Sequence, residues 1–191
     1  MYMPQERALL VSARGLDKLQ RALASAGFLE ASATVSASEA RRIATQCAWP
    51  LVVINAPLPD ESGLELAMEL TATTFSAVVL LVRAELMSMV YAPATEAGVL
   101  LVGKPVIPQV FQQSVQLAAA THNRLMTLNR ENEQLLRKLD EIRLVDRAKC
   151  LLIEHERLTE AEAHRTIEKQ AMDQRLPRAR VAQLILDRYE L

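Results

Sequence analysis

The sequence predicts an α/β domain built on a five-stranded parallel sheet, followed by a helical tail in which one long helix leads into a three-helix module. Three observations predict it. Over residues 1–121, five short apolar runs alternate with helical patterns. Beyond residue 121 there is no glycine and a single proline, Pro177; the other prolines and all five glycines fall before it. From residue 125 to 142, seam side chains advance in alternating steps of three and four.

Residues 8–12 (ALLVS) are the first apolar run. Residues 16–26 put Leu16, Leu19, Leu23 and Ala26 at helical spacing, with Gly27 as a C-cap. Residues 30–35 predict a second strand. Residues 38–47 predict a helix opened by Ser36 or Ser38. Residues 51–55 (LVVIN) are β-branched and apolar. A loop with Pro57, Pro59 and Gly63 follows, then a helix over 64–70. Residues 77–82 (AVVLLV) are the most apolar run. Residues 86–97 predict a helix against the preference of Pro93, and 99–102 a last strand ending at Gly103-Lys104-Pro105. Strands apolar along their whole length need cover on both faces, which implies a parallel sheet between helical layers.

The chain turns helical from about Pro108. Leu125, Asn132 and Leu139 take heptad position a; Leu128, Leu135 and Ile142 take position d. The seam is short and needs support from its flanks. An Asn at a pairs with its symmetry mate and favours two parallel strands, so a homodimer is expected. Packing of the seam on the N-terminal domain is the alternative. Residues 139–191 predict three helices. The first continues through Arg143, Ala148 and Leu152. The second opens with a capping box, Thr159 and Glu162, and buries Ala163, Ile167 and Ala171. The third starts at Pro177 and turns Val181, Ala182, Leu184 and Ile185 inward.

Of 191 residues, 50% are hydrophobic and 24% charged, which suits a packed core and excludes wholesale disorder. Aromatics at 4% disfavour a base- or sugar-stacking platform. A net charge of −1 gives no global basic field, so a polyanion must meet a local patch. Residues 174–186 supply one: Arg175, Arg178 and Arg180 without an acid, with Arg147 and Lys149 on the preceding helix. Cys47 and Cys150 fit no metal or disulfide spacing and are expected to be reduced core thiols. His122, His155 and His164 are expected at the surface; none pairs at i,i+4, so no metal site is expected. There is no glycine-rich phosphate loop and no catalytic constellation, so the expectation is a non-enzyme without cofactor. No apolar run reaches the roughly 18 residues of a membrane span, and the N-terminal MYMPQERALLVSARG is not expected to be a secretory signal. A soluble, cytoplasmic protein is expected.

The strand–helix order and two local motifs resemble the receiver domain of response regulators, a flavodoxin-like fold. In VVINAPLPDESGLEL, Pro59 and Gly63 stand four and eight residues after the position of the receiver's phosphoacceptor aspartate; GVLLVGKP resembles the fifth strand with its Lys104-Pro105. The departures are chemical. Asn55 holds the acceptor position, and an amide cannot form an acyl phosphate. Residues 11–14 (VSAR) carry no carboxylate where the family holds Mg²⁺. Arg83 replaces the hydroxyl residue after the fourth strand. The resemblance therefore implies a pseudo-receiver that neither holds Mg²⁺ tightly nor accepts phosphate. Lys104 pairs with Asn55 or a backbone carbonyl, or is solvated; Arg83 fills the pocket or points outward.

DRAKCLLIEHERLTEAEAHRTIEKQAMDQRLPRARVAQLIL resembles the ANTAR domain, the RNA-binding antitermination module of some response regulators. The resemblance rests on Ala148-Lys149, Leu151-Leu152, Thr159-Glu160-Ala161-Glu162-Ala163, Ala171-Met172 and Val181-Ala182. Cys150 stands where Gly is usual and Ile153 where Met is common. The resemblance implies binding to hairpins in nascent leader RNA and a three-part chain: pseudo-receiver 1–121, coiled-coil linker 122–142, ANTAR domain 143–191. A regulatory sensor protein is a further candidate partner. Two other readings stand beside it: an interaction module that docks on a sensor, and a DNA-binding regulator. The second is disfavoured because the last helix is basic only at its start.

Overall fold

The computed structural model describes residues 7–189; the expected domain limits at residues 1 and 191 lie outside the described residues. It divides into two compact units, 1–127 and 128–191.

The first unit alternates strand and helix: β1 Arg7–Val11, α1 Leu16–Ser25, β2 Glu30–Thr34, α2 Ala37–Gln46, β3 Leu51–Asn55, α3 Leu64–Thr73, β4 Ala77–Arg83, a 3-10 turn Ala84–Leu86, α4 Met87–Glu96 and β5 Leu100–Lys104. The sheet order is β2-β1-β3-β4-β5, with every neighbouring pair parallel. Strand side chains alternate between faces. Leu9, Val11, Val52, Ile54, Val78 and Leu80 pack on one face with Leu66 and Leu70 of α3. Ala8, Leu10, Leu51, Val53, Val79 and Leu81 face the other way, toward Leu23 of α1 and Phe111 and Val115 of the next helix. Each fully buried Leu or Val contributes about 1.5–3 kcal/mol, so the sheet centre is the main source of stability.

Several boundaries shift by a few residues. Ser36 is the N-cap of α2, its hydroxyl accepting from the Glu39 amide at 3.3 Å. Residue 99 lies outside the strand, between the turn at 97–98 and Leu100, and β5 extends instead through Gly103 and Lys104. Pro93 stays inside α4, where the fully buried Ala94 anchors the helix. The Asp60 carboxylate accepts from the Ala37 and Ser38 amides at 2.9 and 3.0 Å, fixing the β3–α3 loop to the start of α2. Those amides, Ser38 first, hold the Asp60 carboxyl below its ordinary range.

Gly63 caps α3 with φ 89, and a Cβ there would stand 3.1 Å from Ile54 Cγ2 and 3.4 Å from Ala56 Cβ. Gly63→Ala is expected to lower stability by about 1–3 kcal/mol, through left-handed strain and crowding together, read as a lower urea midpoint.

α5 is one helix, Pro108–Glu156. In the first unit it buries Phe111, Val115 and Ala118 against the sheet. His122 is also buried, contrary to the surface expectation, because its Nδ1 lies 2.6 Å from the Phe75 carbonyl and supplies that backbone group with a partner. Both cysteines are exposed rather than in the core: Cys47 sits at the C-cap of α2 and Cys150 on an outward face of α5.

In the second unit, the end of α5 packs with α6 Glu160–Gln174 and α7 Arg178–Tyr189 around Ala148, Leu152, Ala163, Ile167, Val181, Ala182 and Ile185. The Thr159–Glu162 capping box is formed. One inward assignment fails. Leu184 is 41% exposed, and Leu186 is buried instead. The buried rows of α7 run 181, 182, 185, 186, which leaves position 184 on the flank.

Candidate functional sites

The first site lies at the carboxyl ends of the strands, where open parallel sheets bind their ligands. Asn55 ends β3, Arg83 ends β4 and Lys104 ends β5; with Arg14, after β1, they line one hollow of about 480 Å³. Asn55 Nδ2 donates to Ser12 Oγ at 2.8 Å and to the Arg14 carbonyl at 3.0 Å. Both amide hydrogens are thus used in tying the β1 loop to β3. Ser12 is fully buried, and its hydroxyl also donates to the Arg14 carbonyl, at 2.6 Å. Lys104 Nζ donates to the Ala56 carbonyl, which settles its partner as backbone. Burial, and secondarily the charge of Arg83, pushes the Lys104 ammonium below its ordinary pKa. Arg83 is exposed, yet it lines the hollow.

These residues do not fit Mg²⁺. The hollow presents amide, carbonyl and three cationic side chains and no carboxylate, where that ion needs hard anionic oxygens. Among the described residues, no group of three or more His, Cys, Asp or Glu is placed to hold a metal.

The second site is the corner between α6 and α7. Arg175 is the C-cap of α6 at φ 53, in the left-handed region that glycine usually fills. Pro177 follows, and its carbonyl accepts from the Arg180 and Val181 amides. Arg175, Arg178 and Arg180 are all exposed. The acid-free stretch does not stay unpaired: Arg178 meets Glu168 of α6 at 3.2 Å, because helix packing brings in a carboxylate ten residues back. Arg175 and Arg180 form no ion pair with any described residue. Lys149 is largely covered, between Asp146 at 2.8 Å and Glu160 at 3.1 Å. The hydrogen bond to Asp146, then that to Glu160, raises its pKa. Its charge is matched inside the unit. Arg147 is exposed on α5 and also engaged.

The seam side chains of α5 stand open. Leu125, Leu128, Leu135, Leu139 and Ile142 are each between 48% and 59% exposed, and Asn132 is exposed among them. Among the described residues, no side chain of these six is buried within its own unit.

Residues 133–186 match the model of the ANTAR domain family. The chain carries an ANTAR domain behind a receiver fold. The ANTAR domain thus includes the last exposed seam positions, the capped turn at Thr159 and the arginine corner. Over 137 residues the chain is 26% identical to the transcriptional regulatory protein PdtaR of Mycobacterium tuberculosis, covering 72% of this chain and 67% of that one. Among solved structures it is similar to an adenylate cyclase from Rhodopirellula baltica (TM-score 0.59, 20% identity, 70% of this chain and 98% of that one). It is similar also to the signal receiver domain of an HD domain-containing protein from Pseudomonas fluorescens (0.58, 19%, 66% and 96%). A response regulator receiver domain protein from Clostridium thermocellum is a third (0.55, 22%, 64% and 98%). At these identities the likeness concerns the fold alone. No helix of the described residues is long and apolar enough to cross a membrane.

Arg14 was not among the expected pocket residues, because the stretch after β1 stood out for its lack of acids rather than for its one basic side chain. The signal was present: the basic residue of VSAR precedes Gly15, whose φ of 70 turns the chain into α1. Asp146, Glu160 and Glu168 were not legible as partners either, since they reach the basic residues along or across helices.

Proposed function

We propose that this chain is a non-enzymatic, RNA-binding transcription antiterminator. As a homodimer through the α5 seam, it binds hairpins in nascent leader transcripts. The observation that carries the reading is the ANTAR match over 133–186, with two arginines at its α6–α7 corner that pair with no described acid. In this reading residues 1–121 are a pseudo-receiver, 122–142 a coiled-coil linker and 143–191 the RNA-binding part. Arg175, Arg178, Arg180 and Arg147 face the phosphates, and Lys149 holds α5 to the start of α6. Hairpin loops offer splayed bases and closely spaced phosphates, which a compact cationic corner can meet without an aromatic platform. Nascent transcripts place this work in the cytoplasm.

The test is a gel-shift of the full chain on a tandem-hairpin leader RNA, with duplex DNA as competitor. Retention of the shift against excess DNA is expected. Equal competition by DNA would favour a DNA-binding regulator, and no shift at all would leave a protein-docking module.

Control by phosphorylation is absent in this reading, since Asn55 cannot form the acyl phosphate. Incubation with acetyl phosphate and Mg²⁺ is expected to leave the intact mass unchanged. A stoichiometric phosphoryl adduct would overturn this part of the proposal. Without an acceptor, input has to arrive by binding, from a sensor protein or a small molecule.

A further inference from the structure

We infer that the hollow at the strand ends of the first unit binds a small phosphate-class dianion non-covalently, through Arg14, Arg83 and Lys104. The three cationic groups come from the ends of β1, β4 and β5 and converge on one concavity that no carboxylate lines. Arg83 and Lys104 are register partners on adjacent parallel strands, so their side chains leave the sheet on the same side. Like charges in directly paired positions repel, and a bound anion turns that repulsion into attraction. Arg14 and Arg83 form no ion pair with any described residue, so their donors are available. Lys104 is half-buried, and only one of its three donors is used, on the Ala56 carbonyl. The location is the switch point between β1 and β3, where this strand order opens a crevice at the carboxyl edge.

A second hollow of about 470 Å³ shares Arg14, Asn55 and Lys104 with the first. It is lined by Leu19, Val106 and Phe111, with Lys18 at its side. A ligand that carries an apolar body beside its phosphate therefore fits better than bare phosphate. Phosphoryl transfer has no part in this: Asn55 is no nucleophile, and the anion is held only by hydrogen bonds and charge.

The test is calorimetric titration of the full chain with inorganic phosphate and with phenyl phosphate, without added metal. Saturable binding at one site per chain is expected for phenyl phosphate, tighter than for phosphate and weakened by added salt. Arg14→Gln and Arg83→Gln change exposed side chains and are each expected to weaken phenyl phosphate by about tenfold, from one lost charged hydrogen bond. A double variant at the α6–α7 corner of the second unit, Arg175→Gln with Arg180→Gln, is expected to bind phenyl phosphate as the wild type does; its RNA shift reports separately on the proposed function. Arg83→Glu gives a readout that does not need the titration. It places a carboxylate beside Lys104, so phenyl phosphate should raise the melting temperature of the wild type and leave that of the variant unmoved. Absence of saturable binding, or binding unchanged in the Arg14→Gln, Arg83→Gln double variant, would overturn the inference.

Discussion

Leu128→Asp combined with Leu135→Asp is expected to abolish the proposed dimer, giving a monomer in sedimentation at micromolar concentration where the wild type is expected to sediment as a dimer. In the single chain these two side chains are 48% and 59% exposed, on one line with Leu125, Leu139 and Ile142. Closing that line against a second copy removes five large apolar groups per chain from water, with about 25 cal/mol for each Å² of apolar surface covered. Two aspartates per chain at facing d positions replace that gain by charge repulsion. Because neither position packs within its own unit, the fold of the monomer should persist, with the first unit melting as before. Asn132→Leu is the control of opposite sign. It should raise the melting temperature and broaden the choice of oligomer, since the buried amide pair that penalises other registers is gone. A monomeric wild type would sink the proposal of a seam dimer.

The second large effect falls on the arginine corner, where stability and binding are expected to move in opposite directions. Arg175 holds φ 53, a conformation that glycine adopts without penalty. Arg175→Gly together with Arg180→Ala should stabilise the ANTAR domain by up to about 1 kcal/mol, chiefly at position 175. The same variant removes the two cations that no described acid neutralises. Hairpin affinity should fall, and the slope of log K against log salt should flatten by roughly one to two units. Arg178→Ala alone should do less, because Glu168 already holds that guanidinium. If the double variant binds the tandem hairpin as tightly as the wild type with an unchanged slope, the corner is only solvated surface and the RNA reading loses its contact site.

The sheet was legible from the chain because its strands are bounded by breakers and are apolar throughout. Residues 51–55 sit between Pro50 and Pro57, and β3 has those limits. β5 was misplaced because its last two residues are Gly103 and Lys104, which have weak strand preference and are held only by pairing with Val82 and Arg83. The strand-end site was half legible. Asn55, Arg83 and Lys104 were found by motif position, whereas the convergence of Arg14 on them depends on the turn at Gly15. At the other site, the sequence displayed the arginines but not their partners. Whether a cation is free depends on which helix packs opposite it, and Glu160 and Glu168 reach Lys149 and Arg178 only in the folded unit. Leu184 failed for a related reason: packing decides which edge of the apolar face of α7 is covered, and it covers Leu186 rather than Leu184.

The middle of α5 has a consequence for how the chain is handled and degraded. Residues 131–143 are exposed on every side, while the same helix is anchored by Phe111 and Val115 before them and by Ala148 and Leu152 after them. A helical stretch of that length without tertiary cover is marginal in water. In a lone chain, its amides would exchange with deuterium faster than those at either anchored end, and Arg137 and Lys138 would be the first bonds cut by trypsin. Pairing would close this window, so the half-life of the connector would lengthen with protein concentration, and newly made chains would be clipped unless they found a mate.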